Sequence, residues 1–200
     1  MTLLALLEVF AILVNAFSGF IDARKQKMDI VGVFTIAFVT AFGGGTLRDI
    51  LLDRRPLFWV QHQEYAIAIF VLSLVAVPLL PKFQRVVSDR LLVIADAIGL
   101  GLLSIAGTSA ALQVGMPLFV ASIMGVITGS FGGVIRDIIC NQVPMLLRDG
   151  QPYAICSFIG CWVFLLMKQA GVPADFAVWS SALLITAARL FTWTKDIRIR

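Results

Sequence analysis

The sequence predicts an all-α, polytopic membrane protein with seven transmembrane helices, and three observations support this fold class. Of the 200 residues, 60% are hydrophobic and only 14% are charged, which is too little polar surface for a water-soluble domain. Seven apolar runs approach the roughly 20 residues that a helix needs to cross a bilayer. Three of these runs are repeated, in the same order, later in the chain. The hydrophobic composition also excludes a disordered chain.

The seven predicted spans are separated by short polar loops. The third span is closed by Pro78 and Pro81, and the sixth continues through Lys168, whose long side chain can reach the interface. The first span is predicted to be retained, because Glu8 interrupts it and no basic segment precedes it as in a signal peptide. The spans cover about residues 3–21, 30–52, 64–80, 91–112, 117–139, 153–172 and 175–193.

The lysines and arginines of the predicted loops indicate the orientation of the chain. Ten fall on one side of the membrane and three on the other. Because basic loops stay in the cytoplasm, we expect an integral inner (plasma) membrane protein with its N-terminus outside and its C-terminus cytoplasmic. The net charge of +4 belongs to these loops, so it indicates topology and contact with membrane lipids, and no nucleic-acid partner is expected. The ten are Arg24, Lys25, Lys27, Lys82, Arg85, Arg90, Arg148, Lys195, Arg198 and Arg200, and the three are Arg54, Arg55 and Lys168.

Residues 40–67 and 128–155 are two copies of one segment, related by an offset of 88 without a gap. They read TAFGGGTLRDILLDRRPLFWVQHQEYAI and TGSFGGVIRDIICNQVPMLLRDGQPYAI, with 11 of 28 positions identical. Apolar composition alone would give about two or three identities. The same offset pairs Glu8 with Asp96, so chance does not explain the match.

Each copy of this repeat contains three spans. Because three is an odd number, the second copy must enter the membrane from the opposite side, which predicts an inverted repeat with a path for solute near its midplane interface. We predict one transmembrane domain over residues 1–200. It consists of a first repeat at about 3–80, a second repeat at about 91–172 and an unpaired seventh helix at about 175–193.

Glycines cluster near the middle of the second and fifth spans. Two or three adjacent glycines weaken a helix by about 1 kcal/mol each, so one interpretation is a helix break whose freed carbonyls hold a monovalent cation. The other interpretation is close helix packing, because small residues recur at every fourth position in both spans. The two interpretations are compatible and both stay open here. The candidate pore or helix-break residues are Gly43, Gly44, Gly45, Thr46, Ser130, Gly132 and Gly133.

Six charged residues fall within the predicted spans as three repeat-related pairs. Charges at membrane depth face protein or water rather than lipid. Adjacent residues on a helix do not face each other, so we expect each arginine to pair elsewhere, with an acid or with carbonyls of the other repeat. The acid of the first span either lines an aqueous route or pairs with one of the arginines, and the aspartates could hold a cation near the path. The six are Glu8, Arg48, Asp49, Asp96, Arg136 and Asp137.

The sequence contains no catalytic constellation, so we predict no enzyme and no cofactor. His62 is the only histidine, which excludes a multi-histidine metal site. Cys140, Cys156 and Cys161 lack metal-binding or redox spacing, and no nucleophile elbow or phosphate-binding loop is present.

The duplicated segments GGGTLRDILL and FGGVIRDIIC, in two triple-span copies followed by a seventh helix, resemble the prokaryotic branch of the trimeric intracellular cation (TRIC) channel family. The resemblance covers essentially the whole chain. Its most specific part is GG-x-x-RD, followed by Pro56 or Pro144 and then by Tyr65 or Tyr153. Sequences of this family also carry an uncharacterised-membrane-protein label and a proposed glycine-transporter label.

This resemblance implies a homotrimer with one permeation path in each protomer. It also implies kinked second and fifth helices that meet at Gly43–Gly45 and Gly132–Gly133, and permeability to monovalent cations, chiefly potassium. The chain departs from the pattern at Phe131, which stands where the first copy has Gly43. We therefore expect the second break to be stiffer or partly plugged by that ring.

Two classes of function agree with these features. A potassium-permeable trimeric channel, gated or constricted at the glycine segments, follows from the buried charges and the family resemblance. A secondary transporter of glycine or another small solute explains the inverted repeat equally well, because rocking of one repeat against the other is a carrier mechanism. A structural membrane component without transport is the weaker third alternative.

Overall fold

The computed structural model of the chain describes residues 3–79, 88–147 and 152–197, except for the side chains of residues 3–7 and 79. Every regular element within these residues is helical. One 3-10 turn, Met145–Leu147, precedes α7. The α-helices are α1 (Leu3–Lys25), α2 (Ile30–Leu51), α3 (Phe58–Gln61), α4 (Gln63–Leu79), α5 (Asp89–Gln113), α6 (Leu118–Ile139), α7 (Tyr153–Gln169) and α8 (Ala174–Thr194).

Seven of these helices correspond to the seven predicted spans, and their ends agree to within about one helical turn. The short helix α3 was not predicted. By length and composition, four helices of the described chain can cross a membrane, namely α2, α5, α6 and α8. The helices α4 and α7 are apolar but shorter, with 17 residues each. The count of seven spans therefore stays a prediction.

Local chemistry sets the ends of several helices. The side chain of Asp29 accepts a hydrogen bond from the backbone N of Gly32 at 2.9 Å and begins α2, and Ser88 does the same for Leu91 at 3.2 Å at the start of α5. Residues in the left-handed conformation follow the last turns of α1, α2, α5, α6 and α7. They are Lys27, Asp53, Gly115, Asn141 and Gly171.

Four helices form the centre of the molecule. The helix α1 packs on α2 and α5 packs on α6, and the two pairs meet through α1 against α5 and α2 against α6. The helix α4 covers α1 and α2, and α7 covers α5 and α6 in the equivalent way. The most deeply enclosed helix is α5, with 83% of its apolar stretch buried. The same packing scheme is thus used twice around a shared centre.

The last helix, α8, has no equivalent in this scheme and packs on α5 and α7. A Cβ added at Gly101 of α5 would overlap the carbonyl of Ala182 on α8, so the two helices touch backbone to backbone. The hydroxyl of Thr186 donates across the contact to the carbonyl of Ala97 at 3.2 Å. The seventh long helix is therefore attached to the central helix of the second half.

The helices α2 and α6 run without interruption through their glycines, so the prediction of helix breaks at Gly43–Gly45 and Gly132–Gly133 is wrong. Because the carbonyls stay within continuous helices, they are not freed to hold a cation there. Phe131 is half-buried in the same unbroken helix and plugs no break. The physical reason is that tertiary packing of these helices outweighs a glycine cost of about 1 kcal/mol per residue.

Candidate functional site

The helices α2 and α6 cross at their glycines, and each presses a glycine against the backbone of the other. A Cβ added at Gly44 would overlap the carbonyl of Thr128, and one added at Gly132 would overlap the carbonyl of Thr40. The repeat offset exchanges these two contacts. Because glycine has no Cβ, it lets two backbones approach this closely. Close packing is the interpretation of these glycines that the geometry supports.

The first half of the chain holds a buried cluster of Glu8, Arg48 and Asp49. Arg48 donates from Nη1 to Glu8 Oε1 at 3.1 Å and from Nε to Asp49 Oδ1 at 2.9 Å. The side chains of Arg48 and Asp49 are 4% and 3% exposed, whereas that of Glu8 is 18% exposed. The cluster therefore meets solvent through Glu8.

The second half holds the equivalent cluster of Asp96, Arg136 and Asp137, with two additions from α1. Arg136 donates to Asp137 Oδ1 from Nε at 2.9 Å and from Nη2 at 2.8 Å, and from Nη1 to Asp96 Oδ1 at 3.2 Å. Its Nη1 also donates to the hydroxyl of Ser18 at 2.5 Å. Asp22 Oδ2 lies 3.5 Å from Nε. This arginine therefore joins the second repeat to the first.

Each arginine pairs with the aspartate next to it as well as with an acid on another helix. The expectation that such neighbours do not pair is wrong, because the Nε of each arginine lies 2.9 Å from the carboxylate of the adjacent aspartate. Arg48 also pairs with Glu8 of its own repeat, whereas Arg136 reaches Asp22 of the other. The second oxygen of each aspartate accepts a backbone hydrogen bond, Asp49 from Phe58 at 3.0 Å and Asp137 from Met145 at 2.8 Å. Both aspartates thus tie the following loop to the helix end, and protein groups engage both of their oxygens.

A polar cleft of about 620 Å³ opens beside the first cluster, between Glu8, Arg48 and the loop after α2. It adjoins a narrow crevice, with room for about one water molecule, that shares Glu8 and Arg48 and reaches the glycine segment of α2. Gly45 and Thr46 line this crevice. Two of the predicted pore residues therefore face a space that continues to the protein surface.

The equivalent place in the second half is lined by Ser130 and Gly133 and has no room for a water molecule. Tyr153 covers it, because its hydroxyl donates to Asp96 Oδ2 at 2.6 Å. The guanidinium carbon of Arg189, on α8, lies 4.8 Å from the centroid of the Tyr153 ring, which is a cation–π contact. The side chain of Asp96 is 5% exposed, so the second cluster is more completely enclosed than the first.

A third polar cleft, of about 580 Å³, lies at the C-terminal end of α1. Asp22 and Gln142 line its inner wall, and Lys25, Asp89 and Arg189 also border it. Glu8 and Asp22 lie 14 residues apart on α1, which is about 21 Å at the helical rise of 1.5 Å per residue. Polar clefts thus enter the helix bundle near both ends of α1.

The seven predicted pore residues therefore separate into three groups. Gly43, Gly44 and Gly132 lie in the α2–α6 contact, Gly45 and Thr46 face the crevice of the first half, and Ser130 and Gly133 face the equivalent place in the second. The six predicted charges form the two clusters. In the described part of the chain, no group of three or more His, Cys, Asp or Glu residues is arranged to hold a metal ion.

The candidate site residues did not include four polar side chains that complete the site, Ser18, Asp22, Tyr153 and Arg189, although the sequence places Asp22 on a polar face of the first span that was expected to line an aqueous route or to pair with an arginine, as it does with Arg136. Three of them carried a signal. Arg189 is a charge inside an apolar span, Tyr153 is one of the repeat identities, and Asp22 lies on the same face of α1 as Glu8. No sequence pattern singled out Ser18.

Comparison with known proteins identifies relatives along nearly the whole chain. A profile of the family described as "Glycine transporter" matches residues 5–81 and, a second time, residues 93–169. A UPF0126 membrane protein from Vibrio cholerae is 39% identical over 94% of this chain and 78% of its own length. The UPF0126 inner membrane protein YadS of Escherichia coli is 37% identical over 77% of this chain and 73% of its own length.

Solved structures give a consistent result. The TRIC channel orthologue from Rhodobacter sphaeroides superposes with a TM-score of 0.88 and 31% identity, over 98% of this chain and 100% of that chain. A second TRIC cation channel superposes with a TM-score of 0.86 and 33% identity, over 100% of this chain and 97% of the other. These likenesses confirm the resemblance predicted from the duplicated GG-x-x-RD segments. The chain therefore belongs to the membrane-protein family described as "Glycine transporter", together with the UPF0126 membrane proteins, and has the fold of the TRIC channels.

Proposed function

We propose that this chain forms a cation channel. The observation that carries the proposal is the likeness of the whole chain to two solved TRIC cation channels, with TM-scores of 0.88 and 0.86. Because fold alone does not define function, the polar clefts near the two ends of α1 are an independent support. Each is lined by charged side chains that include an acid of α1, the partly exposed Glu8 in one and the buried Asp22 in the other. Acidic and basic side chains are equal in number in both clefts, so the clefts support a polar route into the bundle.

The finer form of the proposal is a homotrimer with one potassium-permeable path inside each protomer. The trimer extends the description of the Rhodobacter sphaeroides orthologue to this chain, and the inner-membrane location extends that of YadS. In this proposal seven spans form an inverted three-plus-three repeat and an extra helix, and the excess of lysine and arginine in the loops of one side gives an outside N-terminus and a cytoplasmic C-terminus. The double match of the family profile and the equivalent packing of the two halves support that arrangement.

The constriction of the path lies where α2 crosses α6. The contacts of Gly44 with Thr128 and of Gly132 with Thr40 leave no side chain between the two backbones. A small separation of the two helices at this point opens a gap between the crevice at Gly45 and the equivalent place at Gly133. In this proposal the glycines provide a close contact that can open, rather than a break in either helix.

Electrical recording from the purified protein in planar bilayers tests the channel. With KCl on both sides, we expect unitary currents far larger than a carrier cycle can produce, and their loss when N-methyl-D-glucamine replaces potassium. Bilayers that receive detergent without protein are the control. Absence of unitary currents, together with saturable solute uptake at low turnover, would contradict the proposal.

A secondary transporter of glycine is the second candidate, because the matching family is described in those words. An inverted repeat with a site between its halves also suits alternating access. Uptake of labelled glycine into proteoliposomes tests it, with empty liposomes as the control. Saturable uptake that unlabelled glycine abolishes would favour the transporter, and uptake equal to that of empty liposomes would count against it.

A further inference from the structure

We propose that the side-chain amide of Asn15 coordinates the permeating cation midway along the path, where α1 packs on α5. This inference deepens the proposed channel function and rests on it. Asn15 lies seven residues after Glu8 and seven before Asp22, which is about 10.5 Å from each at the helical rise of 1.5 Å per residue. Because about two helical turns separate neighbouring members, the three residues share one face of α1. Asn15 is thus the midpoint of the line that joins the two polar clefts.

The amide of Asn15 lies directly on the backbone of α5, because a Cβ added at Gly99 would overlap it. One turn away on each helix, Ile12 of α1 and Leu103 of α5 line the crevice that also contains Glu8. The crevice of the first half therefore leads to the contact between Asn15 and Gly99.

The second charged cluster begins on the other side of this contact. Ser18 of α1 and Asp96 of α5, again one turn from Asn15 and Gly99, both accept hydrogen bonds from Arg136. A cation that moves from the crevice to this cluster along the α1–α5 contact must pass the amide. In this structure the contact is closed, so passage requires the opening proposed for the α2–α6 crossing.

One donor of this amide is held by its own helix, and its oxygen is left without a donor. Nδ2 donates to the carbonyl of Ala11 at 2.8 Å. Among the residues that the structure describes, none donates a hydrogen bond to Oδ1 of Asn15, although Asn15 is only 4% exposed. A buried side-chain oxygen normally has a partner. Because carbonyl oxygens can replace the water shell of a monovalent cation, this oxygen suits a permeating ion.

The repeat shows that packing does not require an amide at this place. The offset of 88 pairs Asn15 with Leu103 and Gly99 with Ala11, so the equivalent positions of the two copies are apolar. Leu103 and Ala11 are buried in one hydrophobic cluster. A buried polar group with incomplete hydrogen bonding destabilises a fold, whereas leucine has almost the same branched shape as asparagine. The amide therefore serves the path rather than the packing.

Single-channel recording in planar bilayers tests the role of the amide with a variant of matching shape. Asn15→Leu keeps the branched side chain and removes the oxygen. We expect the unitary potassium current to fall about tenfold or more, the factor that corresponds to one hydrogen bond to a charged group. Ser73→Ala is the matched control, because Ser73 is also buried and donates to the carbonyl four residues earlier, but on α4. It should keep the wild-type current.

Melting temperatures separate this role from a purely structural one. Asn15→Leu should melt no lower than the wild type, since leucine occupies the equivalent position of the second copy. A structural role predicts the reverse, a lower melting temperature with an unchanged current through each channel, and that result overturns the proposal.

Silver(I), a monovalent cation close in size to potassium that binds thiols, gives a test that does not depend on the leucine variant. Asn15→Cys and the control Ser73→Cys are made in a background whose three buried native cysteines are replaced by alanine. We expect silver to block the current of Asn15→Cys and to leave that of Ser73→Cys unchanged. Equal responses of the two variants overturn the proposal.

The outcomes distinguish this site from the channel itself. Potassium currents that neither Asn15→Leu nor silver at position 15 alters reject the role of Asn15 and leave the channel standing. A wild type without unitary currents rejects the channel, and the coordination by Asn15 with it.

Discussion

The two halves of the molecule carry the same charged cluster in different surroundings. In the first half, Glu8 is 18% exposed and the cluster borders a cleft of about 620 Å³. In the second half, the equivalent Asp96 is 5% exposed and the crevice beside it has no room for a water molecule, while the cleft of about 580 Å³ borders this cluster at Asp22. The arginine–aspartate hydrogen bond is the same in both, at 2.9 Å. The two repeats therefore supply equivalent charged clusters. Residues outside these clusters leave the first half more exposed to solvent than the second.

Those residues come from the helix that has no repeat partner and from a substitution between the copies. Arg189 on α8 stacks on Tyr153, whose hydroxyl holds Asp96. Tyr65, the counterpart of Tyr153, stacks on Phe58 instead. Ser18 accepts from the second arginine, whereas the corresponding residue of the second copy is alanine. The seventh long helix, α8, therefore breaks the symmetry of the duplicated bundle and encloses its second half.

The largest expected effect is that of Gly132→Leu, because the two halves share one crossing. The new side chain would meet the backbone carbonyl of Thr40, which cannot move aside. Because the obstacle is backbone, we expect a loss well above the about 1–3 kcal/mol of ordinary overpacking, large enough to prevent stable folding, measured as a lower melting temperature and a smaller yield of folded protein. Gly44→Leu, which meets the carbonyl of Thr128, should lower the melting temperature by a similar amount. The matched control is Gly45→Ala, whose Cβ has Arg48 Nη2 at 3.9 Å as its nearest neighbour. If Gly132→Leu melts like the wild type, the close crossing is wrong.

Replacing the arginines should lower the free energy of unfolding by different amounts in the two halves. Arg136→Met leaves three carboxylates without their cation, and Arg48→Met leaves two, one of which is partly exposed. Breaking a buried ion pair from one side costs about 3–5 kcal/mol. We expect Arg136→Met to reach that range and Arg48→Met to fall below it, both measured by chemical unfolding in detergent. Equal losses would show that the second cluster is no more enclosed than the first.

Removing the tyrosine hydroxyls tests the contact that covers the second cluster. Tyr153→Phe takes the donor from Asp96 Oδ2, and an unsatisfied buried acceptor costs about 1–3 kcal/mol. Its counterpart Tyr65→Phe should change the free energy of unfolding by less than about 0.5 kcal/mol, as for an ordinary surface substitution. Melting temperatures of the two variants measure the difference. A similar shift in both would mean that this hydroxyl has no special role in the second half.

The smallest effect on folding is expected from two single cysteines that report water access. Thr46→Cys places a thiol in the crevice of the first half, and Ser130→Cys places one in the enclosed equivalent place of the second. The native cysteines are buried, so the background reaction with a charged thiol reagent should be low. We expect the cysteine at position 46 to react much faster. Adding Tyr153→Phe should speed the reaction at position 130, and no change there would contradict the covering role of Tyr153.

Much of the fold follows from the sequence because its signals are local or periodic. The apolar runs located seven helices to within about a turn, and the offset of 88 paired Glu8 with Asp96 before either was placed. The glycines were located correctly, but the sequence left both a helix break and close packing open, and the structure supports the packing alone. Helix propensity measures the cost of Gly44 or Gly132 in isolation, whereas the contact with the facing threonine carbonyl depends on a second helix.

The sequence alone identifies a duplicated helical membrane protein with two matching sets of charges. The difference in exposure between these sets arises from tertiary contacts. The positions of Arg189 over Tyr153 and of Ser18 against Arg136 depend on contacts between helices far apart in the chain. The contact of Asp22 with Arg136, between the two repeats, has the same origin. Repeats record which residues are equivalent, but the exposure of a charge is set by every helix packed around it, including α8, which the repeat does not contain.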